Sequence, residues 1–145
     1  MADWVSTAEG RHLSGRQKRD TKPEVELRRA LHALGLRYRL QVGLTRGCTP
    51  DILLPRWRAA VFVDGCFWHS CPRHGRKRPW SGPNANLWIR KMETNRVRDL
   101  RSTHTAEELG WHVIRVWECE VNEDARGLAQ RIARELADYQ TGQKR

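Results

Sequence analysis

Hydrophobic and polar positions change period several times along the chain, and each change marks an element. Leu27, Leu31 and Leu34 recur at i, i+4 and i+7, which predicts a helix with one apolar stripe. Thr21 and Glu24 make a Thr-x-x-Glu capping box with Pro23 in the first turn, so the helix starts at Thr21, and Gly35 ends it. Leu36, Tyr38, Leu40 and Val42 then alternate with Arg37, Arg39 and Gln41. A period of two predicts a half-buried strand, here with a basic outer face. A loop carrying Gly43, Gly47 and Cys48 leads to a short strand over 50–54, which Pro55 stops, and Arg56 to Arg58 turn the chain. Residues 59–63, Ala-Ala-Val-Phe-Val, are apolar without a break, the pattern of a central strand buried on both faces.

Residues 64–83 follow neither period and are rich in proline, glycine and basic side chains (Arg73, Arg76, Lys77, Arg78). A long helix is predicted from Asn84 to Leu109, with Trp88, Met92 and Asn95 on one face and Gly110 as its stop. Residues 111–117 read as a second buried strand, closed by Glu118 and Cys119. Asn122 is expected to cap a last amphipathic helix whose stripe is Ala125, Leu128, Ala129, Ile132 and Leu136. This order predicts an α/β fold, a mixed sheet with helices on its faces. One domain is expected over 20–140, after a basic arm (1–19) that orders on a partner and before a short tail (141–145).

Charge narrows the class of partner. The 145 residues include 27 Lys and Arg against 17 Asp and Glu, a net charge of +10. Such an excess favours a polyanion, because each cation near a phosphate releases condensed counterions. A solvated basic surface is the plainer alternative. No apolar run approaches the ~20 residues of a membrane span, and the N-terminus lacks a signal-peptide core. The expectation is a cytoplasmic protein with no membrane partner, where clustered cysteines are metal ligands rather than disulfides.

Two clusters carry candidate chemistry. Cys66, Cys71 and His74 lie close in sequence, and Cys119 arrives from the end of the last strand. Three thiolates and an imidazole suit a closed tetrahedral Zn2+ site, which would pin an irregular loop. Cys48 is left outside it as a free thiol. Asp51 enters one strand and Asp64 leaves the next, so a hairpin would set both carboxylates at one end of the sheet. Paired carboxylates repel unless a cation joins them, and Mg2+ suits oxygen ligands beside a phosphodiester. His69 could act there as general base or acid. On spacing alone, solvated loop charge is the favoured reading of the aspartate pair.

Several segments together carry a resemblance: Thr-Lys-Pro-Glu (21–24), Pro-Asp (50–51), Val-Phe-Val-Asp-Gly-Cys-Phe-Trp-His (61–69), Trp88 with Asn95 and Arg98-Asp99, and Gly-Trp-His-Val-Ile-Arg-Val-Trp-Glu-Cys (110–119). Over residues 11–121 the chain resembles the very short patch repair (Vsr) endonuclease family. The resemblance implies a restriction-endonuclease-like core of the PD-(D/E)xK type and a structural zinc. It further implies Mg2+-dependent nicking of double-stranded DNA 5′ to the thymine of a T:G mismatch, the lesion left by deamination of 5-methylcytosine. The protein would then be a monomer acting on nucleoid DNA, with mismatch-repair proteins as further candidate partners.

On the same resemblance, Asp51 and the backbone carbonyl of Val63 hold Mg2+, His69 acts on the attacking water, and Glu24 lies beside the site. Phe67, Trp68 and Trp88 match aromatics that wedge into the base stack. Glu24 keeps its capping role, and Trp88 its packing role, as alternatives. Two departures stand out. Asp64 occupies a position where one member of the family has histidine, and it either joins the metal or orients His69. Cys71 replaces a histidine of the zinc set, and the next ligand shifts one position to His74. Two rival functions remain: a restriction-like nuclease that cuts paired DNA, and a zinc-stabilised DNA-binding module without catalysis.

Overall fold

The computed structural model describes residues 20–143 apart from Trp68, Ser70 and Arg76. The expected arm (1–19), the expected wedge residue Trp68 and the last two residues lie outside the described residues. The elements run α1 (Lys22–Ala33), β1 (Ile52–Leu54), a 3-10 turn (Pro55–Trp57), β2 (Ala59–Asp64), α2 (Ala85–Glu108), β3 (His112–Trp117) and α3 (Glu118–Gln143). β2 is the central strand. It pairs antiparallel with β1, Ile52 opposite Val61, and parallel with β3, Val61 opposite Ile114.

Side chains of β2 alternate between two cores, as the strand period demands. Ala59 and Val61 join Leu27 and Leu31 of α1 and Leu128, Ala129, Ile132 and Leu136 of α3 in one cluster. Ala60 and Phe62 join Leu53, Cys48 and Ala106 of α2 in the other. The sheet is thus covered by α1 and α3 on one face and by α2 on the other. Asp64 continues the α2 side of the alternation and Val63 the α1/α3 side.

Three expectations need correction. The alternating stretch 36–42 forms no strand beyond an isolated bridge, in which Arg39 and Leu53 exchange backbone hydrogen bonds of 2.8 and 2.9 Å. Gln41 has φ +55°, a left-handed conformation that turns the chain out of extended geometry and ends the pairing. β3 is half-buried rather than buried, with Ile114 and Val116 inside and its other residues partly exposed. The last helix begins at Glu118, not after an Asn122 cap, and is interrupted at Asp124, whose φ is −161°. Asp124 Oδ1 accepts the Gly127 N–H at 2.9 Å, so Asp124 caps the second part of α3.

The capping box of α1 is also rearranged. Thr21 is the N-cap but makes no side-chain cap hydrogen bond, while Glu24 Oε2 accepts the Asp20 N–H at 2.8 Å. At the far end of α2, Gly110 takes φ +87°, as a left-handed helix exit requires. Arg58, between β1 and β2, closes that end by donating to Leu109 O at 3.0 Å and stacking on Trp111 at 4.8 Å. Among the described residues, no helix is long and apolar enough to cross a membrane.

Candidate active site

The loop before β1 delivers Asp51 to the end of the sheet where β2 stops. Its N–H donates to Val61 O at 3.1 Å, and its Oδ2 accepts the Val63 N–H at 2.8 Å. Burial pushes its carboxyl upward, the Val63 hydrogen bond opposes this, and the charges of Glu24 and Asp64 push it further, to about 7. Glu24 reaches the same region from the first turn of α1 and is 6% exposed. Burial raises its pKa, against hydrogen bonds from Asp20 and Thr21. Asp64 is 8% exposed. Burial raises it too, with the charges of Arg115 and His69 opposing. Three elements therefore bring three carboxylates together in a poorly hydrated place. The set is oxygen-rich, the chemistry a hard divalent cation favours, and Arg115 neutralises part of its charge by donating to Asp64 Oδ1.

His69 follows β2 in the irregular loop. Its Nδ1 is paired with Asp99 Oδ2 of α2 and lies 3.8 Å from Asp64 Oδ1. One ligand atom from each of Asp64, His69 and Asp99 falls within 4.8 Å of the others. Asp99 had no role in the sequence reading. A signal was available: Asp99 lies three helical turns from Trp88 and one from Asn95, on the face already marked by those residues. Arg115 was missed as well. It sits in the middle of β3 and donates to Asp64 Oδ1 at 2.9 Å. The signal was a lone cation inside the apolar run His112–Trp117.

The second cluster is built from the loop after β2 and the first turn of α3. Sulfurs of Cys66, Cys71 and Cys119 and a ring nitrogen of His74 are within 4.8 Å of one another. The sulfurs of Cys71 and Cys119 are 3.8 Å apart. The three cysteines are buried and His74 is exposed. Burial pushes the Cys66 and Cys119 thiols up. Burial pushes Cys71 up as well, but hydrogen bonds from the Arg73 and His74 backbone and the His74 ring outweigh it and lower its pKa. Three sulfurs and an imidazole this close fit a tetrahedral metal ion. The backbone also braces the loop, with Cys71 N donating to Cys66 O at 2.9 Å and Cys66 N to Glu118 Oε1 at 3.2 Å. A cavity of about 440 Å³ beside the cluster is lined by Phe67, Glu118, Asn122 and Glu123. Cys48 stands apart from all of this, buried and donating to Ser102 O at 3.4 Å.

The aromatic side chains of Phe67, Trp80 and Trp88 gather together. Phe67 meets Trp88 edge-on at 5.7 Å between ring centres. Trp80, which the sequence reading passed over, stacks flat on Trp88 at 4.8 Å and 6° and meets Phe67 edge-on at 6.2 Å. Trp88 is 6% exposed under that cover. Of the basic residues in this loop, Arg73 is paired with Glu123 of α3.

These features define an α/β protein with a carboxylate–histidine cluster at one end of its sheet and a separate three-cysteine, one-histidine cluster. The family model described as DNA mismatch endonuclease Vsr matches residues 6–74. The chain is 39% identical over 127 residues to the type II nicking enzyme V.NaeI of Lentzea aerocolonigenes, an alignment covering 83% of this chain and 74% of that protein. It is 37% identical over 128 residues to the type II nicking enzyme V.NmeDIP of Neisseria meningitidis serogroup C, covering 88% and 85%. It is 31% identical over 125 residues to the DNA mismatch endonuclease Vsr of Escherichia coli (strain K12), covering 86% and 78%. The chain belongs to the Vsr family.

Proposed function

We propose that the chain is a DNA endonuclease that nicks 5′ to the thymine of a T:G mismatch, using Mg2+ for cleavage and Zn2+ for structure. The observation that carries this reading is buried Asp64 beside a His69 that is itself held by Asp99, with the partly buried Asp51 electrostatically coupled to Asp64. Membership of the Vsr family and kinship to proteins named as nicking and mismatch endonucleases support it.

In this reading the mixed sheet is a PD-(D/E)xK-type core. Asp51 and the Val63 carbonyl would hold Mg2+, with Asp64 offering the oxygen that Arg115 does not take. Bound there, Mg2+ supplies positive charge against the phosphodiester and acidifies water. The chain's own part is proton handling and placement. Asp99 holds Nδ1 of His69 as a donor, which leaves Nε2 as the acceptor for a proton from the attacking water. Glu24 adds negative charge beside Asp51, so the region attracts a divalent ion and disfavours a bare carboxylate trio.

The sulfur spacing of 3.8 Å between Cys71 and Cys119 is that of a tetrahedral ion with Zn–S bonds near ~2.3 Å. Cys66, Cys71, His74 and Cys119 would hold Zn2+ and so fix the loop that carries His69. Phe67, Trp68 and Trp88 would enter the base stack at the mismatch, where an ill-paired step is cheap to open. The basic arm 1–19 would close on the DNA as part of a monomer with one catalytic domain over 20–140.

Strand-resolved nicking of a T:G duplex and its C:G counterpart, with Mg2+, tests the proposal. A nick 5′ to the mismatched T alone, lost in His69→Ala, is the expected result. Equal cutting of both duplexes would favour a restriction-like nuclease that cuts paired DNA. Binding without any nick would favour the DNA-binding module.

A further inference from the structure

Arg115 occupies the junction of the elements that build the site, and its guanidinium is almost fully committed. It lies opposite Phe62 in the parallel register and covers that ring at 4.2 Å. Nη1 donates to Asp64 Oδ1 at 2.9 Å. Nε donates to Thr103 Oγ1 at 2.7 Å, and Nη2 donates to Ser102 Oγ at 3.2 Å and Asp99 O at 3.1 Å. One planar fork therefore joins β3 to the end of β2 and to one turn of α2. Asp99 is gripped by its backbone carbonyl while its carboxylate holds His69.

We propose that Arg115 is a positioning residue of the nuclease site: it locks the Asp99 turn of α2 against Asp64, and through Asp99 and Asp64 it sets the His69 imidazole. This rests on His69 being the proton acceptor, as proposed above. The geometry demands arginine, because lysine is a point charge that cannot span four acceptors on two elements. The position also has an electrostatic reason. Asp64 of β2, Asp99 of α2, Asp51 before β1 and Glu24 of α1 all lie in this region, with His69 beside them. Without a cation at its centre, buried Asp64 would stand uncompensated among like charges. An ordinary cross-link would contribute to stability alone. A positioning residue must also move the histidine.

The test compares wild type with Arg115→Met, Arg115→Lys, Asp64→Asn and the Arg115→Met/Asp64→Asn pair. Single-turnover nicking is read at saturating Mg2+, duplex affinity without it, thermal melting in parallel, and the His69 ring-nitrogen resonances by NMR. Arg115→Met is expected to slow nicking about 100-fold, the usual cost of a slightly misplaced catalytic group, with duplex affinity held within about three-fold. Arg115→Lys should recover little of that loss. The double variant should be no slower than the worse single variant, as for residues acting through one another. The His69 resonances should shift in Arg115→Met and Arg115→Lys, in folded samples identified by their amide dispersion.

Unchanged His69 resonances in a folded Arg115 variant would overturn the proposal, as would additive losses in the double variant. The NMR arm needs no substrate. A wild type that cuts neither duplex, together with a His69 shift in Arg115→Met, would sink the mismatch-nuclease reading and still uphold the positional role of Arg115.

Discussion

Asp51 and Val63 are joined across the β1–β2 hairpin: the Asp51 carboxylate accepts the Val63 N–H at 2.8 Å. The bond fixes the carboxylate against the backbone of the strand that ends at Asp64. Desolvation of the partly buried carboxyl outweighs this bond and raises the Asp51 pKa to about 7, which has consequences for stability and activity.

The folded pKa of Asp51 lies above the ordinary value of 3.8. Between these two pH values the folded chain keeps a proton that the unfolded chain has lost, so stability falls as pH rises through that window. Urea melts of metal-free protein should therefore show a loss from about pH 4 to about pH 7 that Asp51→Asn reduces. Added Mg2+ should restore stability above that window in wild type and do so less in the variant. Parallel curves for the two proteins would remove Asp51 from both effects.

His69→Ala should slow nicking by roughly 10²- to 10⁴-fold, the range for loss of a general base. Duplex binding should survive, because the imidazole is half-buried against Asp99 rather than part of the core. Asp99→Asn should reproduce much of the defect, since an amide can hold Nδ1 in the wrong protonation state. Wild-type rates in Asp99→Asn would separate Asp99 from the chemistry.

If the sulfur cluster holds Zn2+ as proposed, Cys119→Ala should release it and lower the melting temperature, because a structural metal contributes folding free energy directly. His74→Ala should weaken retention less, as His74 is the exposed member of the set. Elemental analysis after dialysis, alongside thermal melts, reads both. Full retention by Cys119→Ala would mean that another residue completes the set.

Ile132→Ala should cost about 2–5 kcal/mol in denaturant melts, since Ile132 is 1% exposed where α3 meets the sheet and α1. Exposed Leu100→Ala, on the outer side of α2, should change stability by less than about 0.5 kcal/mol. Similar losses at the two positions would contradict the packing of α3.

Phe67→Ala should weaken binding to a T:G duplex by about 1–3 kcal/mol, the scale of one aromatic–base stack, and leave C:G binding nearly unchanged. Fluorescence anisotropy on paired duplexes measures the difference. Equal weakening on both would make Phe67 a general DNA contact.

Much of the architecture was legible because local pattern and tertiary burial agree. Leu128, Ala129, Ile132 and Leu136 of the last stripe and residues 59–62 of the apolar run became the buried faces that their periods predict, while Ala125 and Val63 are partly exposed. The alternation over 36–42 misled because alternation requires a partner along its whole length, and Gln41 turns the backbone away after one bridge. The Asn122 cap misled for a related reason. Trp117 and the residues after it continue directly into helix, with the Trp117 N–H taken by Glu120 Oε1 at 3.0 Å, and the cap falls to Asp124.

By itself the sequence determined residue types and their spacing: a first helix that opens at Thr21, a central apolar strand, carboxylates at both ends of a hairpin, and cysteines grouped near one histidine. These follow from local chemistry, which neighbours in the chain carry with them. Tertiary structure alone decided that Asp99 faces His69, that Arg115 spans β2 and α2, and that Trp80 lies on Trp88. Each joins residues on separate elements, and only the packing of α2 on the sheet brings those elements within reach.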